Sequence, residues 1–160
     1  MATPDFILAL REKIGRDLLW LIGVTAVVLR GEGEDAEVLL VRRSDNGRVT
    51  PVTGIVDPGE EPAAAAIREV REEADVTAVA ESLAWVHSTP EMTFPNGDRC
   101  QFLDLTFRCT YVAGAPAPAD GENTDAFWRR LSDLADLDPE MRARISTALA
   151  PPPAPARFEP

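Results

Sequence analysis

Positive charge is in short supply in this chain: sixteen Lys and Arg stand against 27 Asp and Glu, a net charge of −11. No basic run gathers the cations onto one segment, so the phosphates of a nucleic acid polymer would be repelled, and such a polymer is excluded as a partner. A small phosphorylated ligand is not excluded, because divalent cations held by carboxylates reverse the local sign. Cysteine is also scarce. Cys100 and Cys109 fall at opposite parity in one strand-like segment, so they point to opposite sheet faces and cannot bridge. They read as reduced, structural cysteines of a cytosolic protein. Histidine occurs once, at His87, which is taken as structural, and nothing supports a Ser/His/Asp or Cys/His nucleophile. Long apolar runs are missing too. Leu18 to Leu29, LLWLIGVTAVVL, is too short to span a bilayer and is followed by RGEGEDAE rather than a small-residue cleavage site. It reads as a helix end entering a buried strand, which predicts a cytoplasmic protein with no membrane partner.

What remains is an ordinary globular composition, 45% hydrophobic and 27% charged over 160 residues, enough for one domain with a real core. Residues 1–150 are expected to form that domain, and the Pro-rich 151–160 an extended tail. Phe6, Leu10, Ile14 and Leu18 predict an amphipathic helix from Asp5 to about Leu19. Residues 22–30 and 36–43 are β-branched runs joined by a flexible GEGED loop, and SDNGR (44–48) is a turn. Strands follow at 77–88, 101–112 and 124–131, with long connections at 89–98 and 113–123. On the 101–112 strand, Leu103, Leu105 and Phe107 define the better-buried face. Asp138 and Pro139 open a helix that runs to about Leu149. The alternation predicts an α/β fold, a mixed sheet sandwiched by helices. Trp20 and Trp128 are expected in the core.

The segment GIVDPGEEPAAAAIREVREEADV (54–76) carries the chemistry. Pro62 suits a first helical position and the alanines extend the helix to about 74. At 100° per residue, Ala63, Ile67, Val70 and Ala74 share one arc, while Glu69, Glu72 and Glu73 share another. Like charges at this spacing, near a helix C-terminus, each cost a few tenths of a kcal/mol. A cation would offset that cost, and hard divalent ions suit such oxygen ligands.

Gly54, Glu60, Arg68, Glu69, Val70, Glu72, Glu73 and Val76 together match the pattern G-x5-E-x7-R-E-U-x-E-E-x-G-U, where U is a bulky aliphatic. Chance agreement at these positions is about 10⁻⁸ per starting point. The segment resembles the Nudix box, and the chain resembles a bacterial Nudix hydrolase. The flanking strands, the RSDNG turn (43–47), the FPNGD loop (94–98) and a Glu shortly before a Trp in ENTDAFWRRL extend the likeness loosely over most of the chain. Asp75 departs from the box's last glycine, at a position where the helix should end in a left-handed residue.

The resemblance implies a Nudix-type α/β/α sandwich with a mixed β-sheet, and hydrolysis of a nucleoside diphosphate linked to another group X by water attack on phosphorus. It implies Mg²⁺ or Mn²⁺ held by Glu69, Glu72 and Glu73 with the Thr53 main-chain carbonyl, and a Glu60–Arg68 pair bracing the loop below Gly54. The general base it leaves open is Glu72 or Glu122. Arg43, Phe94, Asn96 and Asp98 are candidate substrate contacts, although the last three also suit a plain hairpin turn. The implied partner is a small nucleotide, and a homodimer is possible at the family level. The rival reading is a catalytically silent Nudix fold that senses a nucleotide.

Overall fold

The computed structural model describes residues 3–94 and 96–160. Met1, Ala2 and Pro95, the second residue of the FPNGD loop, lie outside the described residues. The described chain forms nine strands and three α-helices. The elements run α1 (Asp5–Ile14), β1 (Leu19–Arg30), β2 (Glu37–Arg43), β3 (Val49–Thr50), β4 (Val52–Ile55), α2 (Pro62–Ala74) and β5 (Thr77–Ser88). They continue with β6 (Met92–Thr93), β7 (Arg99–Ala113), β8 (Asn123–Arg130), α3 (Pro139–Thr147) and β9 (Arg157–Phe158).

The sheet runs β3-β2-β1-β7-β5-β9, with β4 on β1, β6 on β7 and β8 on β2. β1 lies parallel to β7 from Leu19↔Cys100 to Leu29↔Thr110, while β5 and β7 are antiparallel. From Gly23 to Leu29 β1 is buried on both faces, and there it reads as a nearly continuous apolar run. Val24, Ala26 and Val28 face forward against Ala66, Val70 and Ala74 of α2, and Val27 and Leu29 face back against Ile145 and Ala148 of α3. At the start of the sheet, Ile7 of α1 packs on Leu19, Leu21 and Cys100. Each fully buried Val or Leu contributes about 1.5–3 kcal/mol. The mixed sheet between helices agrees with the expected architecture, and Cys100 and Cys109 sit in separate clusters, unpaired.

Several local expectations need correction. α1 stops at Ile14 because Gly15, at φ 60° and ψ −120°, takes a positive-φ conformation outside the helical region, so Leu18 lies past the helix and is exposed. Trp20 is not a core residue: it is 54% exposed, on β1 beyond the reach of α2. Trp128, half-buried, packs against the front cluster, with Tyr111 edge-on and the Arg30 guanidinium 4.1 Å from its ring centre. The 89–98 connection contains β6, which pairs with the start of β7, and the GEGED loop contains a short 3₁₀ turn, Gly33–Asp35. Residues 157–158 of the tail add to the sheet, parallel to β5.

The even face of β7 is at least as buried as the odd one, and it is polar. Arg144 of α3 donates through Nη1 to Asp104 Oδ1 at 2.8 Å and to Thr25 Oγ1 at 2.6 Å. Thr25 and Thr106 in turn donate to the two oxygens of Asp104 at 2.9 and 2.8 Å. His87 stacks on Trp85 with ring centres 3.8 Å apart, its Nδ1 3.9 Å from Asp104. Burial of the His87 ring pushes its pKa down, an effect the neighbouring Asp104 opposes. Both ring nitrogens are buried without a hydrogen-bond partner among the described residues.

Candidate metal and pyrophosphate site

α2 begins with Pro62 at its first turn and ends on Asp75, the described non-glycine residue with positive φ, at φ 52° and ψ 33°. Asp thus fills the left-handed cap where the box has glycine, and its N–H donates to the Arg71 carbonyl at 3.1 Å. The helix starts close to where its sequence places it. Its acidic arc behaves differently from a solvated face: Glu69 and Glu73 are 1% and 2% exposed, while Glu72 remains in solvent.

Two contacts bury those carboxylates. β4 pairs with β1, Gly54 opposite Val24, which directs the missing side chain of Gly54 at α2. A Cβ there would fall on the Glu69 carboxylate and its Cγ, so only glycine lets the acid lie against the strand. On the other side, Asn123 Nδ2 donates to Glu73 Oε2 at 2.9 Å. We expect Gly54→Ala to displace Glu69 or push β4 away from α2, at about 1–3 kcal/mol of stability, with loss of divalent-ion affinity. Urea unfolding and Mn²⁺ titration would check both effects.

Arg68 holds the loop to the helix. It donates to both Glu60 oxygens at 2.8 and 2.9 Å, to the Ile55 carbonyl at 3.2 Å, to Glu69 at 2.9 Å and to Glu72 at 3.0 Å. The fork raises the pKa of Arg68 and lowers that of Glu60. Glu69 and Glu73 go the other way. Burial pushes each up to about 7, the Arg68 charge opposes this at Glu69, and at Glu73 the Asn123 hydrogen bond opposes it while Glu69 and Asp120 add to it.

A cation fits this arrangement. Glu69 Oε2 is buried without a hydrogen-bond partner, and two buried acids share one helix face four residues apart. An added divalent charge would satisfy the orphaned oxygen and favour both ionised forms. Among the described residues no three Asp, Glu, His or Cys side chains are gathered as a ready cage. The three helix acids read from the sequence as joint ligands are thus not brought together. Glu72, the third helix acid, is turned to Arg68 instead.

The other sequence candidates divide. Arg43 lies beside the site: its charge acts on Glu73, and it is ion-paired with Asp45 at 2.9 Å. Glu122 immediately precedes Asn123, its carbonyl accepting from Ser44 N and Oγ at 2.8 and 2.6 Å. Thr53 lies on β4 next to Gly54, paired with Thr25. Phe94, Asn96 and Asp98 are occupied elsewhere. Phe94 packs with the α1 cluster, Asn96 and Asp98 bond each other at 3.0 and 3.1 Å, and Asp98 meets Arg11 at 3.3 Å. Sequence reasoning passed over Asn123, Asp120 and Ser44. A neighbour of Glu122 was the available signal, but nothing in the residues told which side of the sheet Asn123 would face.

Residues 20–149 match the NUDIX domain family model. The chain is 34% identical over 122 residues to the NAD-capped RNA hydrolase NudC of Deinococcus radiodurans, covering 75% of this chain and 41% of that protein, so it spans well under half of that relative's length. Among solved structures it is similar to a NUDIX hydrolase from Nitrosomonas europaea, with TM-score 0.64 and 24% identity over 81% of this chain and 88% of that one. It is also similar to a C. elegans Ap4A hydrolase, at TM-score 0.61 and 22% identity over 79% and 93% of the two chains. An ADP-ribose pyrophosphatase from Streptococcus suis gives TM-score 0.62 and 21% identity over 87% and 98%. These structural likenesses bear on the fold, while the family model spans most of the chain, including the buried carboxylates and the Arg68 fork: the chain belongs to the Nudix hydrolase family.

Proposed function

We propose that this Nudix hydrolase cleaves the pyrophosphate bond of a small nucleotide, a nucleoside diphosphate linked to a group X, with Mg²⁺ or Mn²⁺ as cofactor. The observation that carries the reading is the pair of buried acids, Glu69 and Glu73, one with an unpartnered oxygen, against the bare backbone of Gly54. Glu69 and Glu73 would hold the cation, with the Thr53 carbonyl as a further oxygen donor. When bound, the cation supplies Lewis-acid polarisation of the phosphate and a lower pKa for the attacking water. The chain's part is positioning. Arg68 and Glu60 keep β4 and α2 in register, and Arg43, beside Glu73, offers a positive charge to the phosphates. The general base would be Glu72, which is held by Arg68, or Glu122, on a loop pinned through its carbonyl by Ser44.

The similar proteins act, by name, on NAD-capped RNA, Ap4A and ADP-ribose, all of which contain a pyrophosphate attached to a nucleoside. A net charge of −11 favours the free small nucleotide over capped RNA for this chain. No described helix is long and apolar enough to cross a membrane. Cytoplasmic location and homodimerisation complete the proposal, to be checked by fractionation and sedimentation.

Purified protein with Mg²⁺ or Mn²⁺ is expected to turn over at least one of ADP-ribose, dinucleoside polyphosphates, NADH and (d)NTPs, and to prefer NAD or NADH over NAD-capped RNA. Absence of turnover on every compound, with calorimetric binding of one, would instead establish the silent sensor.

A further inference from the structure

We propose that Asn123 is a positioning residue for the cation site, acting through Glu73, and that a bulge in β8 exists to aim it there. This rests on Glu73 being a cation ligand, as proposed above.

β8 pairs with β2 in regular antiparallel register from Glu37↔Arg130 to Arg42↔Asp125. Along that stretch Ala126 and Trp128 point forward into the cluster under α2, and Phe127 points back into the cluster under α3. Period-2 alternation would send Asn123, of the same parity as Phe127, to the back. The register instead shifts between Arg42 and Arg43, so that Arg43 opposes Asn123 and Thr124 is the extra residue. A bulge of this kind reverses the facing of the strand before it. Asn123 accordingly turns forward, is 6% exposed, and donates to Glu73 Oε2 at 2.9 Å.

The bulge is held from both sides. Thr124 Oγ1 donates to the Arg42 carbonyl at 3.3 Å, Ser44 donates twice to the Glu122 carbonyl, and the Glu122 N–H donates to Asp120 Oδ1 at 2.9 Å. Asn123 thus binds one oxygen of Glu73 and fixes the carboxylate plane, leaving the other oxygen to a cation. Partners that orient a metal ligand in this way are worth roughly 10–100-fold in metal affinity.

The test is Mn²⁺ binding to the full chain without nucleotide, followed by electron paramagnetic resonance, together with the Mn²⁺ concentration needed for half-maximal turnover. Asn123→Leu, similar in size but without the amide, is expected to weaken Mn²⁺ binding at least about tenfold, with excess Mn²⁺ restoring kcat. Asn123→Gln, which keeps the amide, is expected to recover most of the affinity. Should the Leu variant unfold, Asn123→Ala removes the amide without added bulk and carries the same expectation. Wild-type Mn²⁺ affinity in a folded Leu or Ala variant would overturn the role of Asn123. If Glu73→Gln also binds Mn²⁺ normally, the fault lies in the ligand assignment; if Glu73→Gln loses Mn²⁺ while the Asn123 variants keep it, only the positioning role fails.

Discussion

Glu73→Gln is expected to lower divalent-ion-dependent hydrolysis by about 10³-fold or more while leaving the fold intact, because the amide keeps the volume of the side chain and loses its charge. Activity in a screen-positive substrate, with circular dichroism as the control, would check this; retained turnover in the folded variant would remove Glu73 from the cation site. A second signature accompanies it in EDTA. The folded pKa of about 7 stands above the usual carboxylate value of 4.5, so the native state holds its proton more tightly than the unfolded chain. Stability of the metal-free protein therefore falls as pH rises from about 4.5, and the full cost is present above about 7. Glu69 contributes with the same sign. Melting temperatures of metal-free wild type should drop between about pH 4.5 and 7, and Glu73→Gln should shrink the drop by removing one of its two sources.

On the back of the sheet the largest effect is on stability rather than rate. Arg144→Met is expected to destabilise the protein by about 3–5 kcal/mol, since Asp104, 3% exposed, would keep its burial and lose its cation. For a chain of this size that is on the order of ten degrees in Tm. Adding Asp104→Leu to Arg144→Met should recover much of the loss, because removing both charges avoids the uncompensated one. Thermal denaturation of the single and double variants gives the coupling directly, and no recovery in the double variant would show that the network is not the origin of the effect. Both variants should retain divalent-ion affinity below their melting points, as the carboxylates lie across the sheet.

How far the residues spoke for themselves depends on how local each feature is. The helix of the box, its Pro62 start and the left-handed Asp75 depend on neighbours a few positions away, and the spacing of Gly54, Glu60 and Arg68 states the brace almost outright. The burial of Glu69 and Glu73 depends on β4 and β8 arriving from elsewhere, and an acidic arc read on its own resembles a wet surface. Trp20 misled because LLWLIGVTAVVL is uniformly apolar, with nothing to mark where the cover of α2 ends. Asp104 and Thr106 were hidden in the same manner: a polar residue in an alternating strand suggests solvent until its buried Arg144 is known. Asn123 needed the bulge, and one inserted residue inverts any argument from parity.

The pairing of β1 with β7 has a consequence for how the chain is made. Leu19 waits for Cys100, and at about 5–20 residues per second the ribosome takes roughly 4 to 16 seconds to deliver it. During that interval β1 has access only to β2 and β4, and its parallel neighbour does not yet exist. Until then the valines of β1 stay uncovered along one edge, and the central ladder closes only once β7 has emerged.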